Sequence, residues 1–120
     1  MRYVDYFTKH DDFVVYKAGE TIFNEGDEAN KKMYAVRAGE VEIVHNDVLL
    51  ETVRPGYFFG EMSLVDAAPR AANAIAKTDC EIVEVDKYHF LYLIGEAPMF
   101  ALQVMHIMAE RIRKLHERVK

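Results

Sequence analysis

Two residues nine positions apart carry the chemistry of this chain: Glu61, in Gly60-Glu61-Met62-Ser63-Leu64, and Arg70, in Pro69-Arg70-Ala71-Ala72. The planar guanidinium of an arginine offers a fork of donors that fits two phosphate oxygens at once. Backbone amides at the start of a short helix, near Met62 and Ser63, add an anion site. Pro69 stiffens the approach to Arg70, while Ala71 and Ala72 leave room for a ligand to reach the backbone. Glu61 repels phosphate but accepts a hydrogen bond from a neighbouring hydroxyl, as on a ribose. An anion with an adjacent hydroxyl donor, in a pocket walled by apolar strands, describes a nucleotide.

The elements that must hold these residues read mainly as strands. Phe13 to Tyr16, Thr21-Ile22-Phe23, Met33 to Arg37, Val41 to Val44, Val48 to Leu50 and Ile82 to Val85 are short β-rich runs. Lys17-Ala18-Gly19-Glu20, Ala38-Gly39-Glu40 and Asn46-Asp47 punctuate them, the last as a tight hairpin turn that needs φ > 0. Strands of this length with turns so closely spaced predict an antiparallel sandwich or barrel. From Lys87 the pattern turns helical. Asp86 is a candidate N-cap, Gly95 a candidate stop, and Pro98 suits the first turn of a second helix running to the end. In that helix Ala101, Met105, Met108, Ile112, Leu115 and Val119 form one stripe, and Phe100, Val104 and Ile107 add a second face to its first half. The methionines and phenylalanines there read as core.

The segment Phe59-Gly60-Glu61…Pro69-Arg70-Ala71-Ala72 resembles the phosphate-binding cassette of the cyclic nucleotide-binding domain family, and the surrounding order of strands, glycine turns and two terminal helices agrees over residues 10 to 118. The resemblance implies a mainly β fold, an eight-stranded antiparallel β-roll of jelly-roll type with C-terminal α-helices. It implies one domain over residues 1–120, with the roll at about 10–86 and the helices at about 87–118. It assigns Glu61 to the ribose 2′-hydroxyl and Arg70 to the exocyclic phosphate oxygens, with Gly60, Met62, Ser63, Ala71 and Ala72 completing the cradle. Ala71, where cGMP-preferring members often carry Thr or Ser, leans toward cAMP as ligand, with cGMP less favoured. Asn73 departs from the usual Thr or Ser. Ile43 and Val53 fall where the family walls the purine, and Lys114 or Leu115 where its last helix lids the base.

Composition bounds the remaining classes. The 120 residues are 51% hydrophobic and 29% charged, enough for a packed core, and carry a net charge of −5. That balance argues against a nucleic-acid binder, and no helix-turn-helix follows the last helix, so no DNA partner is expected. Lone Cys80 fits a reducing cytosol, and no apolar run approaches a membrane span, so the expected location is cytoplasmic, without a membrane partner. His10, His45, His89, His106 and His116 are scattered singly, so no metal or cofactor is expected. No nucleophile context or second carboxylate supports catalysis, and the expected role is a non-enzymatic receptor acting through an unidentified protein partner in trans. The alternative is a nucleotide-independent dimerisation module with a vestigial cassette, joined through the C-terminal helix stripe. A jelly-roll binder of another small anion is a third reading. Replacing Arg70 with Ala should cost binding, and little folding if the arginine is poised for ligand rather than paired in the core.

Overall fold

The alternation that marks the strands places their apolar side chains between two four-stranded antiparallel sheets. The computed structural model describes residues 6–118. Its strands are β1 (Val14–Tyr16), β2 (Thr21–Phe23), β3 (Lys32–Ala38), β4 (Val41–His45), β5 (Val48–Val53), β6 (Phe58–Phe59), β7 (Asn73–Ala76) and β8 (Cys80–Asp86). One sheet has the order β1-β8-β3-β6, the other β2-β7-β4-β5. Tyr34, Val36, Phe59 and Ile82 from the first sheet meet Val41, Val53, Ala74 and Ala76 from the second in one buried cluster. The antiparallel roll expected above is therefore present.

Turn chemistry sets the register. Asn46 and Asp47 both have positive φ (50° and 63°), and pair His45 with Val48 across a two-residue hairpin. Gly39 sits at φ 86°, and a Cβ there would lie 2.3 Å from the Asp79 carbonyl and 2.9 Å from the Cys80 sulfur. Between β3 and β8, Arg37 pairs with Glu81 and also donates to the His10 carbonyl, while Lys32 meets Glu84 at 3.0 Å.

Two strands were not visible as strands in the sequence. β6 is only two residues long, and the inward positions of β7 are Ala74 and Ala76, a residue type depleted in strands. Close packing between the sheets selects their small volume over β-propensity.

The chain divides after Lys87 into two compact units. The second begins at Tyr88, the second residue of α1 (Lys87–Glu96), and holds α2 (Met99–Arg118), and no single helix among the described residues is long and apolar enough to cross a membrane. Asp86 is the last residue of β8 and directly precedes α1, the position at which an N-cap stands. Gly95 does not stop α1. The helix runs through it to Glu96, since an interior glycine costs only about 1 kcal/mol. Pro98 is the actual break, because it disfavours a helical Ala97. In α2, Phe100, Val104 and Ile107 are buried, with Phe100 against Phe90. Met99 and Met105 are exposed, contrary to the expectation of core, as are Ile112 and Leu115. The stripe through Met105, Ile112 and Leu115 runs roughly 100° around the helix from the buried line, the angle of one residue, and Met99 lies on the opposite flank. Val119, its last member, lies outside the described residues.

Cys80 is fully buried, its sulfur facing the Glu40 and Thr78 carbonyls at 3.1 Å, and burial raises its pKa. The thiol is expected to resist a disulfide reagent in the folded protein and to react fully in denaturant. Rapid labelling of the native protein would contradict this packing.

Candidate functional site

Gly60 ends β6 in a left-handed conformation, φ 72°, and turns the chain into a 3-10 helix, Glu61–Leu64. Only glycine fits. A Cβ there would sit 2.8 Å from Arg70 Nη1 and 3.2 Å from the Phe23 ring. Glu61 opens the turn and is half-buried, Met62 is exposed, and Ser63 points inward.

Arg70 returns to this turn from the other end of the segment and is 7% exposed. Its Nη1 donates to the Gly60 carbonyl at 2.8 Å. Its Nη2 donates to Asn30 Oδ1 at 2.8 Å and to the Lys32 carbonyl at 3.0 Å. The guanidinium lies 4.3 Å from the centre of the Phe23 ring and 5.6 Å from that of Tyr34. Tyr34 itself stacks on Phe59, so the cation rests on the aromatic floor of the roll. Burial lowers the guanidinium's pKa from its ordinary range, opposed chiefly by Tyr34 and more weakly by Glu61 and Asp27.

Among the described residues no carboxylate stands within ion-pair distance of Arg70, whereas Arg37 is paired with Glu81. All three acceptors on Arg70 are neutral. They hold the group without cancelling its charge, and a buried cation so held is a place for an anion.

The polar loop over residues 24–31 closes on the same point. Arg70 N donates to the Asp27 carbonyl and Gly26 N to the Arg70 carbonyl, both at 2.8 Å. Lys31 N donates to Ser63 Oγ at 2.8 Å, and Ser63 Oγ donates in turn to Asn30 Oδ1 at 3.3 Å. Glu25 N donates to Asn73 Oδ1 at 2.7 Å. Asn73, the departure from the family pattern, thus has work in this fold: its carboxamide ties the loop to β7.

The residues singled out in the sequence separate into groups. Gly60, Glu61, Met62, Ser63 and Arg70 gather around the turn, with Ala71 exposed and Ala72 buried beside Arg70 in sequence. Ser63 spends its hydroxyl on the loop. Val53 is part of the buried cluster and Ile43 packs against it from a partly exposed position. Lys114 and Leu115 lie exposed on α2, in the second unit. Sequence reasoning missed Asn30, Tyr34, Phe23 and the Lys32 carbonyl. An asparagine closing a polar loop before a strand gave no signal of its own, because its partner is 40 residues away. A cavity of about 460 Å³ opens beside the turn, but its lining includes Glu28 and Asp66 and neither Glu61 nor Arg70. Two carboxylates against one amine, Lys31, suit an anion poorly.

Comparison with known proteins identifies the family. The family model described as "Cyclic nucleotide-binding domain" matches residues 13–97. The chain is 32% identical over 105 residues to the cyclic AMP receptor protein of Thermus thermophilus, covering 83% of this chain and 48% of that protein. It is 41% identical over 87 residues to a cGMP-dependent protein kinase of Plasmodium berghei, covering 72% of this chain and 10% of the kinase. The chain therefore spans less than half the length of either relative. Among solved structures, the catabolite activator protein of Thermus thermophilus superimposes with a TM-score of 0.80 at 30% identity, over 98% of this chain and 57% of that one.

Arg70 is bonded inside the roll, so its removal is expected to cost folding stability. Arg70→Ala leaves the Gly60 and Lys32 carbonyls without this donor and is expected to lower ligand-free stability by about 2 kcal/mol. Gly60→Ala should cost a similar amount, about 1–2 kcal/mol from its positive φ before the clash with Nη1. Denaturant unfolding without ligand measures both, and an unchanged midpoint for either would refute this packing.

Proposed function

The chain belongs to the cyclic nucleotide-binding domain family, and from that premise we propose that it is a non-enzymatic receptor for a cyclic nucleotide, cAMP in preference to cGMP. The observation that carries the reading is the buried Arg70 guanidinium, held by neutral acceptors and, among the described residues, in no ion pair with a carboxylate. The ligand's cyclic phosphodiester carries a single negative charge, which one guanidinium balances. A 5′-monophosphate carries nearly two at neutral pH, and the excess would face Glu61. Glu61 accepts from the ribose 2′-hydroxyl, and the backbone of Gly60, Met62, Ser63 and Ala71 completes the cradle around the phosphate. The preference for cAMP rests on Ala71, whose methyl offers a guanine no hydroxyl.

Output is a population shift. Ligand favours the state in which α2 covers the base through Lys114 or Leu115, and a protein partner in trans reads that state. The relatives' names include both a cAMP receptor and a cGMP-dependent kinase, so the choice of nucleotide belongs to this proposal. A second reading, pairing of two copies through α2, is favoured by the exposure of Met105, Ile112 and Leu115 along one stripe.

Thermal unfolding of protein refolded without ligand tests the first reading. At 100 times its dissociation constant cAMP adds about 2.7 kcal/mol, which is roughly 10 °C in a chain of this size. The expected order is cAMP, then cGMP, with no shift from AMP. No shift with either cyclic nucleotide would overturn the receptor reading. Light scattering with and without cAMP tests the second, and a dimer indifferent to nucleotide would favour the dimerisation module.

A further inference from the structure

Helix α1 is apolar on both of its sides, and the described residues cover only one of them. On the inner side Leu93 is buried and Phe90 packs on the Phe100 ring. The outer side carries Tyr88, Leu91, Tyr92 and Gly95, the i, i+3, i+4, i+7 spacing of a single helix face. Tyr88 is 81% exposed, Leu91 52% and Tyr92 61%. At Gly95 an added Cβ would meet nothing within 4 Å. An alanine would fit there and make the better helix, so nothing among the described residues calls for glycine. The charged ends are a third observation. Lys87 opens α1 and Glu96 closes it, each the wrong sign for the dipole of its own helix.

We propose that this face is where a second copy of the chain docks, α1 against α1, antiparallel about a two-fold axis between Leu91 and Tyr92. The face is self-complementary under that operation. Each Tyr88 comes level with the other copy's Gly95, where the missing side chain makes room for a phenol ring. Nearest the axis, Leu91 meets Leu91 on one flank of the seam and Tyr92 meets Tyr92 on the other. Each Lys87 lies at the C-terminal end of the other helix and each Glu96 at its N-terminal end. Charges misplaced on one helix are thus correctly placed on the pair. A parallel pair would instead set Tyr88 on Tyr88, glycine on glycine and like charge beside like. A helix of 10 residues buries less than a permanent dimer does, so this association is reversible and rises with concentration. It uses a different helix from the stripe through Met105, Ile112 and Leu115 on α2.

Sedimentation equilibrium of the full chain without nucleotide, over a concentration series, tests the docking. The average mass is expected to rise with concentration from one chain toward two. Gly95→Gln fills the space with a longer side chain and a better helix former. It should hold the chain at monomer mass while its Tm equals or exceeds the native value. Lys87→Glu/Glu96→Lys should raise the Tm and weaken association about tenfold, because the reversed charges suit the single helix and oppose the pair. Oxidation of Tyr88→Cys mixed with Gly95→Cys should cross-link the mixture and neither variant alone. A native chain that stays monomeric throughout would overturn the proposal, as would association that survives Gly95→Gln. Association lost in Ile112→Gln and kept in Gly95→Gln would move the seam to α2. A cross-link formed by Tyr88→Cys alone would overturn the antiparallel arrangement.

Discussion

Burying a guanidinium on neutral acceptors, with no carboxylate paired to it among the described residues, is the constraint that the rest of the site answers. An isolated charge taken from water costs far more than any single contact returns, so every neighbouring group must be a good acceptor or a polarisable face. Arg70 has both: three neutral oxygens around its edge and the rings of Phe23 and Tyr34 against its plane. Among the described residues no buried side-chain nitrogen or oxygen lacks a hydrogen-bond partner, so the cost is met by geometry. What is left over is positive charge, and that remainder is what an anionic ligand would use.

The roll exists, functionally, to keep that arrangement from relaxing. β3 and β8 pair along nearly their whole lengths and carry Tyr34 and the Lys32 carbonyl to the site. β6 pairs with β3 just before Gly60, so the left-handed turn leaves a strand already anchored through Tyr34 and Phe59. From the other side, the loop over residues 24–31 bonds to the Arg70 backbone on both its N–H and its carbonyl. The arginine is thus held at backbone and head, and rotamer freedom that a surface arginine would lose on binding is already spent.

Much of this was legible in the chain itself. Glu61 and Arg70 stood out because their residue types make chemical sense only together, at a spacing that includes Gly60 and Pro69. The hairpin at Asn46-Asp47 and the strands β1 to β5 and β8 followed from short β-rich runs, alternation in β3 and β8, and turn residues that tolerate positive φ. Asn30 gave no such sign. Neither did β6 and β7, whose shortness and alanines carry little propensity. The exposed methionines Met99 and Met105 were misread because hydrophobicity alone does not say which side of a helix is covered.

The sequence by itself determined the class of fold and singled out Glu61 and Arg70 for the candidate site, because alternation, positive-φ turns and the Glu61–Arg70 segment act over short distances along the chain. Tertiary structure alone decided what surrounds Arg70. Asn30 is 40 residues from it, and Asn73 is 48 from the amide that it accepts. Hydrogen bonds between such partners have no period to read. They are selected by the requirement that each polar group carried into the roll find a partner there, and that requirement can be evaluated only once the chain has closed on itself.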